Sequence, residues 1–377
     1  MKIGILFHSL DRFAGGVDNR LSDLEISFPE NLQREFLLFK KSVSLPHKGD
    51  ITFVQSLKIP SWILKNKLTL KPFAIFFGFL NLFIRIYSTR RLIEQKKFDK
   101  ILAIDDYFVL IAILATFRKN ICIIASVRNN WDDMYNGTLI HLLPDFMYKR
   151  VLPFLMRKYV KHVHTVSKCL SNELKKNYNI KQCIYIYNLF DIKKIQLKAK
   201  DQIEIKEPFL INIGHFNRQK NQKDLLKTYY ILKKEFEIKH KLLLIGDGSL
   251  KKDIIKEVEF YNLTDEVIFL NQKDNPYKYL KRASLYLSTS LFEGLPAVFI
   301  ESIILEVPIV TYNFKCGANE LAIHLTDKNP KSLAIKANEV LQDISLQKSS
   351  ILFGKKIIEQ ELQKEKIINK WMELFKC

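Results

Sequence analysis

The stretch from Ser288 to Glu320, STSLFEGLPAVFIESIILEVPIVTYNFKCGANE, constrains the fold more than any other part of the chain. It carries two carboxylates, Glu293 and Glu301, with Gly294-Leu295-Pro296 directly after the first. The apolar run Leu285-Tyr286-Leu287 predicts a buried strand, and Ala297 to Ile304 predicts a helix. Pro296 suits a helix start, where its missing N–H is not needed. Glu293-Gly294-Leu295 is then a strand-to-helix turn whose free backbone N–H groups, backed by the helix dipole, favour an anion such as phosphate. Glu301 sits inside the helix, its oxygens available to hydroxyl donors. Pro308 to Tyr312 repeats the pattern as a strand, with Cys316-Gly317-Ala318-Asn319-Glu320 opening another helix. Two such units in series point to a site at the carboxyl edge of a parallel sheet.

The rest of the chain fits an α/β protein of two domains, since 377 residues with 47% hydrophobic content can bury large cores. Lys2–His8, Lys100–Asp105, Ile121–Val127, Phe209–Gly214 and Lys241–Ile245 read as further buried strands. The paired Gly15-Gly16 precede a helix expected over Asp18–Leu24, where glycines let backbone approach a ligand closely. Ser167 reads as a helix N-cap. The Lys-rich run 193–207 reads as a linker.

Charge is spread unevenly. Residues 1–200 hold 33 Lys and Arg against 16 Asp and Glu, whereas residues 201–377 hold 27 against 24. The first half is therefore the part expected to meet something anionic, either nucleic acid or an anionic membrane. Leu68 to Tyr87, LTLKPFAIFFGFLNLFIRIY, is too short and too closely flanked by charge to span a bilayer. It has two readings: an amphipathic helix in the headgroup region with Phe73, Phe76, Phe77 and Phe79 among its contacts, or an internal helix packed on the first domain's sheet. Five cysteines without metal-type spacing read as reduced thiols. Met1–Phe7 reads as a strand, with no basic leader or cleavage-like site. Neither H-E-x-x-H, G-x-S-x-G nor a P-loop is present, and the acidic pairs Asp105-Asp106 and Asp132-Asp133 are not D-x-D metal sites. No metal is expected.

The E-G-L-P-x4-E signature, followed by a P-I-V strand and a G-x-x-E turn, resembles the donor site of the family 4 retaining glycosyltransferases. The resemblance implies the GT-B fold, in which two Rossmann-like domains with parallel sheets face a central cleft. It implies an acceptor domain over 1–190, a nucleotide-sugar domain over 191–354, and a C-terminal helix over 355–377 packing back on the first. Gly214-His215 through Lys220-Asn221 is similar to the family's G-R-x4-K loop, with His215 in place of Arg and Arg218 as a substitute charge. The resemblance implies that Lys220, His215 or Arg218, and the Gly294 and Leu295 amides stabilise the departing diphosphate. It implies further that Glu301 holds ribose hydroxyls and that Glu293 lies near the reacting sugar. By the same resemblance Gly15 and Gly16 would lie near the sugar diphosphate of the donor or near the acceptor, Gln272 and Lys273 near the base, and Arg128 or Asn129 on a sugar hydroxyl or acceptor phosphate.

The expectation is a retaining enzyme moving a sugar from a nucleotide-sugar, UDP-linked by preference, to a glycan or lipid-linked acceptor in bacterial surface polysaccharide assembly. It would need no cofactor and would work at the inner face of the cytoplasmic membrane, with no nucleic acid partner. Two alternatives stand beside it. One is a nucleotide-sugar 2-epimerase of the same fold. The other is a non-enzymatic membrane- or polyanion-binding protein on a decayed glycosyltransferase scaffold.

Overall fold

The computed structural model describes residues 1–11, 16–57, 71–131 and 146–376. Two compact units divide the chain: Met1–Leu189 with Ile368–Cys377, and Phe190–Ile367. Every strand pairing among the described residues is parallel.

The first unit is built on β1 (Lys2–Phe7), β2 (Gln33–Leu38), β3 (Asp50–Phe53), β4 (Lys100–Ile104), β5 (Cys122–Val127), β6 (His162–Thr165) and β7 (Cys183–Tyr185). Their order is β3-β2-β1-β4-β5-β6-β7. The second unit is built on β8 (Phe209–Ile213), β9 (Lys241–Ile245), β10 (Val267–Leu270), β11 (Leu285–Ser288), β12 (Ile309–Tyr312) and β13 (His324–Thr326), ordered β10-β9-β8-β11-β12-β13. In both sheets the first strand of the unit is flanked by the second and the fourth. That reversal of winding is the switch point of a Rossmann-like sheet, and it leaves a crevice beyond the carboxyl ends of the two central strands.

The central strands are apolar along their whole length because helices cover both faces. KILAI in β4 is buried at all its residues. In the second unit, helix Gln222–Glu235 turns Leu225, Leu226, Tyr229 and Leu232 inward at helical spacing. Helix Pro330–Gln342 does the same with Leu333, Ala334, Ala337 and Val340, and Asn329 caps it by accepting from the Lys331 and Ser332 N–H groups. Both faces join one core with Leu210, Leu242, Leu285 and Val310 of the sheet.

Several elements differ from expectation. The Lys-rich run 193–207 begins as helix Ile192–Lys198, because the Asp191 carboxylate accepts from the Lys194 N–H and starts it. The first helix runs from Gly16 to Ser27, longer than Asp18–Leu24. The C-terminal segment 355–377 is not one helix on the first unit. Helix Ile344–Glu361 ends at Leu362, and helix Lys364–Leu374 follows. Residues 355–367 remain in the second unit, where the Gly354 backbone lies against Ile303, so close that a Cβ would sit 2.9 Å from its Cγ2. Only the end of the chain joins the first unit, through Trp371 and Phe375, whose rings meet Phe28. Cys183 is a buried free thiol.

Candidate functional site

The second unit's switch point lies between β8 and β11, and the expected motifs converge there. Gly214 follows the end of β8, and the neighbouring strand end is passable only to glycine. Gly246 has φ of +153°, and a Cβ on it would lie 2.0 Å from the Gly214 carbonyl oxygen. A Cβ on Gly248 would lie 2.4 Å from the Phe216 carbonyl oxygen. The loop after β8 folds over buried Phe216, whose N–H donates to the Asp247 carbonyl at 2.9 Å. Asn217 accepts from the Lys220 N–H at 3.0 Å, and Asn221, in the left-handed region, leads into helix Gln222–Glu235.

That loop is stitched to the one after β11. Thr289 Oγ1 donates to the Lys220 and Asn221 carbonyls at 3.1 and 2.8 Å. The Leu291 N–H donates to the Gln219 carbonyl at 2.8 Å, and Gln219 Nε2 returns a bond to the Phe292 carbonyl at 2.9 Å. The result is an ion pair, Lys220 Nζ to Glu293 Oε1 at 2.6 Å, with the side chains only 18% and 11% exposed. It is a short charge contact between an ammonium, which carries three N–H donors, and a carboxylate.

Beyond Glu293, residues Gly294-Leu295-Pro296 turn into helix Ala297–Ile304, with Pro296 at its N-cap. The second strand–turn–helix unit braces this turn. Gly317 has φ of +89°, and a Cβ there would lie 2.9 Å from Pro296 Cδ and 3.2 Å from the Gly294 carbonyl oxygen. Glu301 is buried in the helix, 8% exposed, and Tyr277 Oη donates to its Oε1 at 3.5 Å. Both carboxylates act on Tyr286, whose hydroxyl donates to the Ile213 carbonyl at 3.3 Å. Burial first, then the charges of Glu293 and Glu301, push that hydroxyl above its ordinary pKa.

Thus Lys220, Glu293, Gly294, Leu295 and Glu301 gather at one crevice. His215 and Arg218 are exposed on the same loop, and the His215 carbonyl is held by Gln222 Nε2 at 3.0 Å. Gln272 and Lys273 are exposed beyond the edge strand β10, on the segment that leads to Tyr277. The sequence reading missed Tyr277, Tyr286 and Gln219. An aromatic in a strand and a glutamine in a loop give no signal before the sheet order is known.

Arg128 belongs to the first unit, at the carboxyl end of β5. It is buried and its Nη2 donates to Asn188 Oδ1 at 2.6 Å. Two carboxylates, Asp105 and Asp18, act on it electrostatically. Asp105 directly follows β4 with φ of +70°, a strained conformation for a residue with a side chain, and its N–H donates to the Ser126 carbonyl at 3.0 Å. Asp18 accepts from Ser9 Oγ at 3.2 Å and the Asp11 N–H at 3.1 Å, and burial raises its carboxyl to about 6. Asp106 accepts from Trp131 Nε1 at 2.8 Å, and burial with the nearby Asp105 raises it to about 8. These groups mark the switch point of the first sheet, between β1 and β4. The sequence showed the Asp105-Asp106 pair; its position at a strand end was the signal to use. Gly16 opens the first helix and is exposed, while Gly15, Asn129's downstream neighbours 132–145 and the pair Asp132-Asp133 lie outside the described residues.

Among the described residues, no group of three or more His, Cys, Asp or Glu side chains is arranged to hold a metal ion. His164 has a structural place instead. Its Nε2 faces the Ile186 carbonyl at 2.9 Å, and its Nδ1 faces Ser126 Oγ, also at 2.9 Å. A carbonyl only accepts, so Nε2 carries the proton and Nδ1 accepts from the serine. Burial holds this imidazole neutral, with its pKa down to about 3.

Two Rossmann-like units with these sheet orders define the GT-B fold. The chain is similar over its whole length to HepE of Anabaena, in a crystal structure with UDP and glucose, at a TM-score of 0.77 and 17% identity, covering 99% of that chain. It is similar also to sucrose-phosphate synthase of Thermosynechococcus elongatus, at a TM-score of 0.80 and 15% identity, covering 100% of this chain and 98% of that one. At such identities the likeness is one of fold. Residues 193–356, which contain the whole Lys220–Glu293–Glu301 site, match the family model described as Glycosyl transferases group 1. A Campylobacter jejuni relative is 30% identical over 247 residues, 61% of this chain. It is an N-acetylgalactosamine-N,N'-diacetylbacillosaminyl-diphospho-undecaprenol 4-alpha-N-acetylgalactosaminyltransferase. The match spans 63% of that relative's length, less than two thirds.

Proposed function

We propose that this protein is a retaining glycosyltransferase of family 4 that moves a hexose-type sugar from a UDP-sugar to a lipid-linked or polysaccharide acceptor in bacterial surface glycan assembly. The observation that carries the reading is the Lys220–Glu293 pair at the β8/β11 switch point, beside the Gly294-Leu295 turn. HepE, of like fold, binds UDP, and the Campylobacter relative acts on a diphospho-undecaprenol-linked sugar.

In this reading Glu301 accepts from the ribose hydroxyls, with Tyr277 helping to orient its carboxylate. Lys220 and the Gly294 and Leu295 N–H groups meet the diphosphate, with His215 or Arg218 adding donors from the exposed side of the loop. Charge that develops on the leaving phosphate is stabilised by donors already in position, so departure requires no metal ion. Glu293 does two things: it holds Lys220 in place and puts negative charge next to the sugar's anomeric carbon. The leaving phosphate takes the proton of the attacking hydroxyl. Arg128, balanced by Asp105 and Asp18, suits a sugar hydroxyl better than a phosphate, because the neighbouring carboxylates repel anions. The basic first half suits the anionic inner face of the cytoplasmic membrane, where a lipid-linked acceptor resides. No helix among the described residues is long and apolar enough to cross it.

Thermal shift against UDP, GDP, ADP, CMP and intact UDP-sugars, without metal, tests this on wild type and Glu301→Ala. A ligand that binds only the folded state raises Tm by mass action. UDP or a UDP-sugar should raise the wild-type Tm and leave the variant's unchanged. No response to any of them in wild type would overturn the donor-site reading in favour of a decayed scaffold.

A further inference from the structure

Helix Lys71–Lys96 of the first unit is amphipathic in the inverted sense. Its protein-facing side is polar. Asn81 Oδ1 accepts from the Leu57 N–H at 2.9 Å, and Ser88 Oγ accepts from the Gln55 N–H at 3.1 Å. Arg85 donates through Nε to Ser56 Oγ at 3.1 Å and through Nη1 to Tyr107 Oη at 3.0 Å. These groups cannot rotate outward without stranding the backbone of residues 55–57, so the packing fixes which side faces away. The side that faces away carries Phe73, Phe76, Phe79, Leu80, Phe83 and Tyr87, all exposed, with Phe76 at 63%, Phe83 at 67% and Tyr87 at 68%. At about 100° per residue these six fall within an arc of roughly 120°, and at 1.5 Å per residue they make a stripe about 21 Å long. A contiguous aromatic stripe of this kind marks an interaction surface.

The stripe leads into positive charge. Arg90 and Arg91 continue the same face, and Arg90 Nη1 donates to the Phe117 carbonyl at 3.1 Å. Exposed Phe117 meets Tyr159 with ring centroids 5.8 Å apart. Arg118 lies 5.6 Å over Phe117, and Lys158 lies 5.3 Å over Tyr159. The helix carries a single acidic residue, Glu94, and both Arg90 and Lys119 neutralise it at 3.4 and 2.6 Å. Aromatic rings bordered by the cations Arg91, Arg118 and Lys158 are what the headgroup region of an anionic bilayer attracts.

We propose that helix Lys71–Lys96 lies flat in the headgroup region of an anionic lipid bilayer, with Phe73, Phe76, Phe79, Leu80, Phe83 and Tyr87 inserted and Arg91, Arg118 and Lys158 on the lipid phosphates. The inference deepens the membrane partner suggested above and rests on that reading, but its test uses no sugar transfer. Its failure would leave the nucleotide response of the second unit intact, so the two readings fail separately.

The experiment is co-sedimentation of the full chain with phosphatidylcholine vesicles and with vesicles in which roughly one third of the lipid is phosphatidylglycerol. Wild type should partition onto the anionic vesicles at about 0.1 M salt and less so at about 0.5 M. Phe76→Ser/Phe79→Ser/Phe83→Ser should lower the partition coefficient by at least roughly tenfold, with helix content by circular dichroism unchanged. Arg91→Glu/Arg118→Glu/Lys158→Glu should lose the preference for anionic lipid. Wild type that remains in the supernatant, or a serine variant that sediments with it equally, overturns the proposal. If the serine variant fails to fold, the charge-reversal variant decides, and its unchanged sedimentation overturns the proposal. A wild-type dimer without lipid that the serine variant converts to monomer makes a second copy the occupant, and also overturns it.

Discussion

At the scale of single residues, the candidate chemistry rests on charges held where water only partly reaches them. Lys220 was legible from its place in the loop after Gly214, and Glu293 from its place before Gly-Leu-Pro. Their contact at 2.6 Å was not legible, because they belong to loops after different strands. Lys220→Ala should lower kcat/KM by roughly 10²–10³-fold, the usual cost of removing one preorganised donor from developing negative charge. It should also cost about 1–3 kcal/mol of stability by leaving Glu293 without its cation. Steady-state kinetics and thermal melts read the two effects. Asp106 offers a test by pH. Burial and Asp105 raise its carboxyl from 3.8 to about 8, so the folded state holds the proton more tightly than the unfolded chain does. That contribution is fully present below about pH 4 and is lost as pH rises through about 8. Melts of Asp106→Asn should therefore show a smaller fall in Tm between about pH 6 and 8 than wild type.

At the scale of elements, glycines decide how closely the turns approach each other. Gly317 keeps the second strand–turn–helix unit against the Gly294-Leu295-Pro296 turn, with φ of +89° and no room for a Cβ. Gly317→Ala should cost about 1–3 kcal/mol from backbone strain and displacement of Pro296. By moving the Gly294 and Leu295 amides, it should also shrink the nucleotide-induced rise in Tm; an undiminished rise in a melt with UDP would separate those amides from the ligand. Strands and the Ser167 helix start were legible because their signals are local: continuous apolar runs and a serine at the N-cap. The Asp191 N-cap was missed, because the Lys-rich run after it read as a linker. Helix Lys71–Lys96 was legible as a helix but not as an inverted one. Its phenylalanines fit a core as well as a membrane, and only the bonds of Asn81, Arg85 and Ser88 to residues 55–57 and Tyr107 fix its orientation.

At the scale of the whole molecule, the two units carry separate cores, and the end of the chain serves the first. Trp371 is 2% exposed, with its ring 4.4 Å from His164 and 6.3 Å from Phe28. Trp371→Ala should destabilise the first unit by about 3–5 kcal/mol, the range for deleting a large buried aromatic. Scanning calorimetry should show that unit melting earlier, while the second unit keeps its response to nucleotide.

The sequence by itself determined the alternation of strands and helices, the glycine and proline turns, and the order of motifs from Gly214 to Glu320. These follow from backbone stereochemistry and hydrophobic period, which act over a few residues. Only the tertiary structure decided which strand ends are neighbours. Parallel pairing of β8 with β11 brings Lys220 to Glu293, and pairing of β1 with β4 and of β4 with β5 assembles Asp18, Asp105 and Arg128. Those meetings depend on crossovers of many residues whose faces are chosen by burial, and burial is a property of the assembled unit, not of any segment of it.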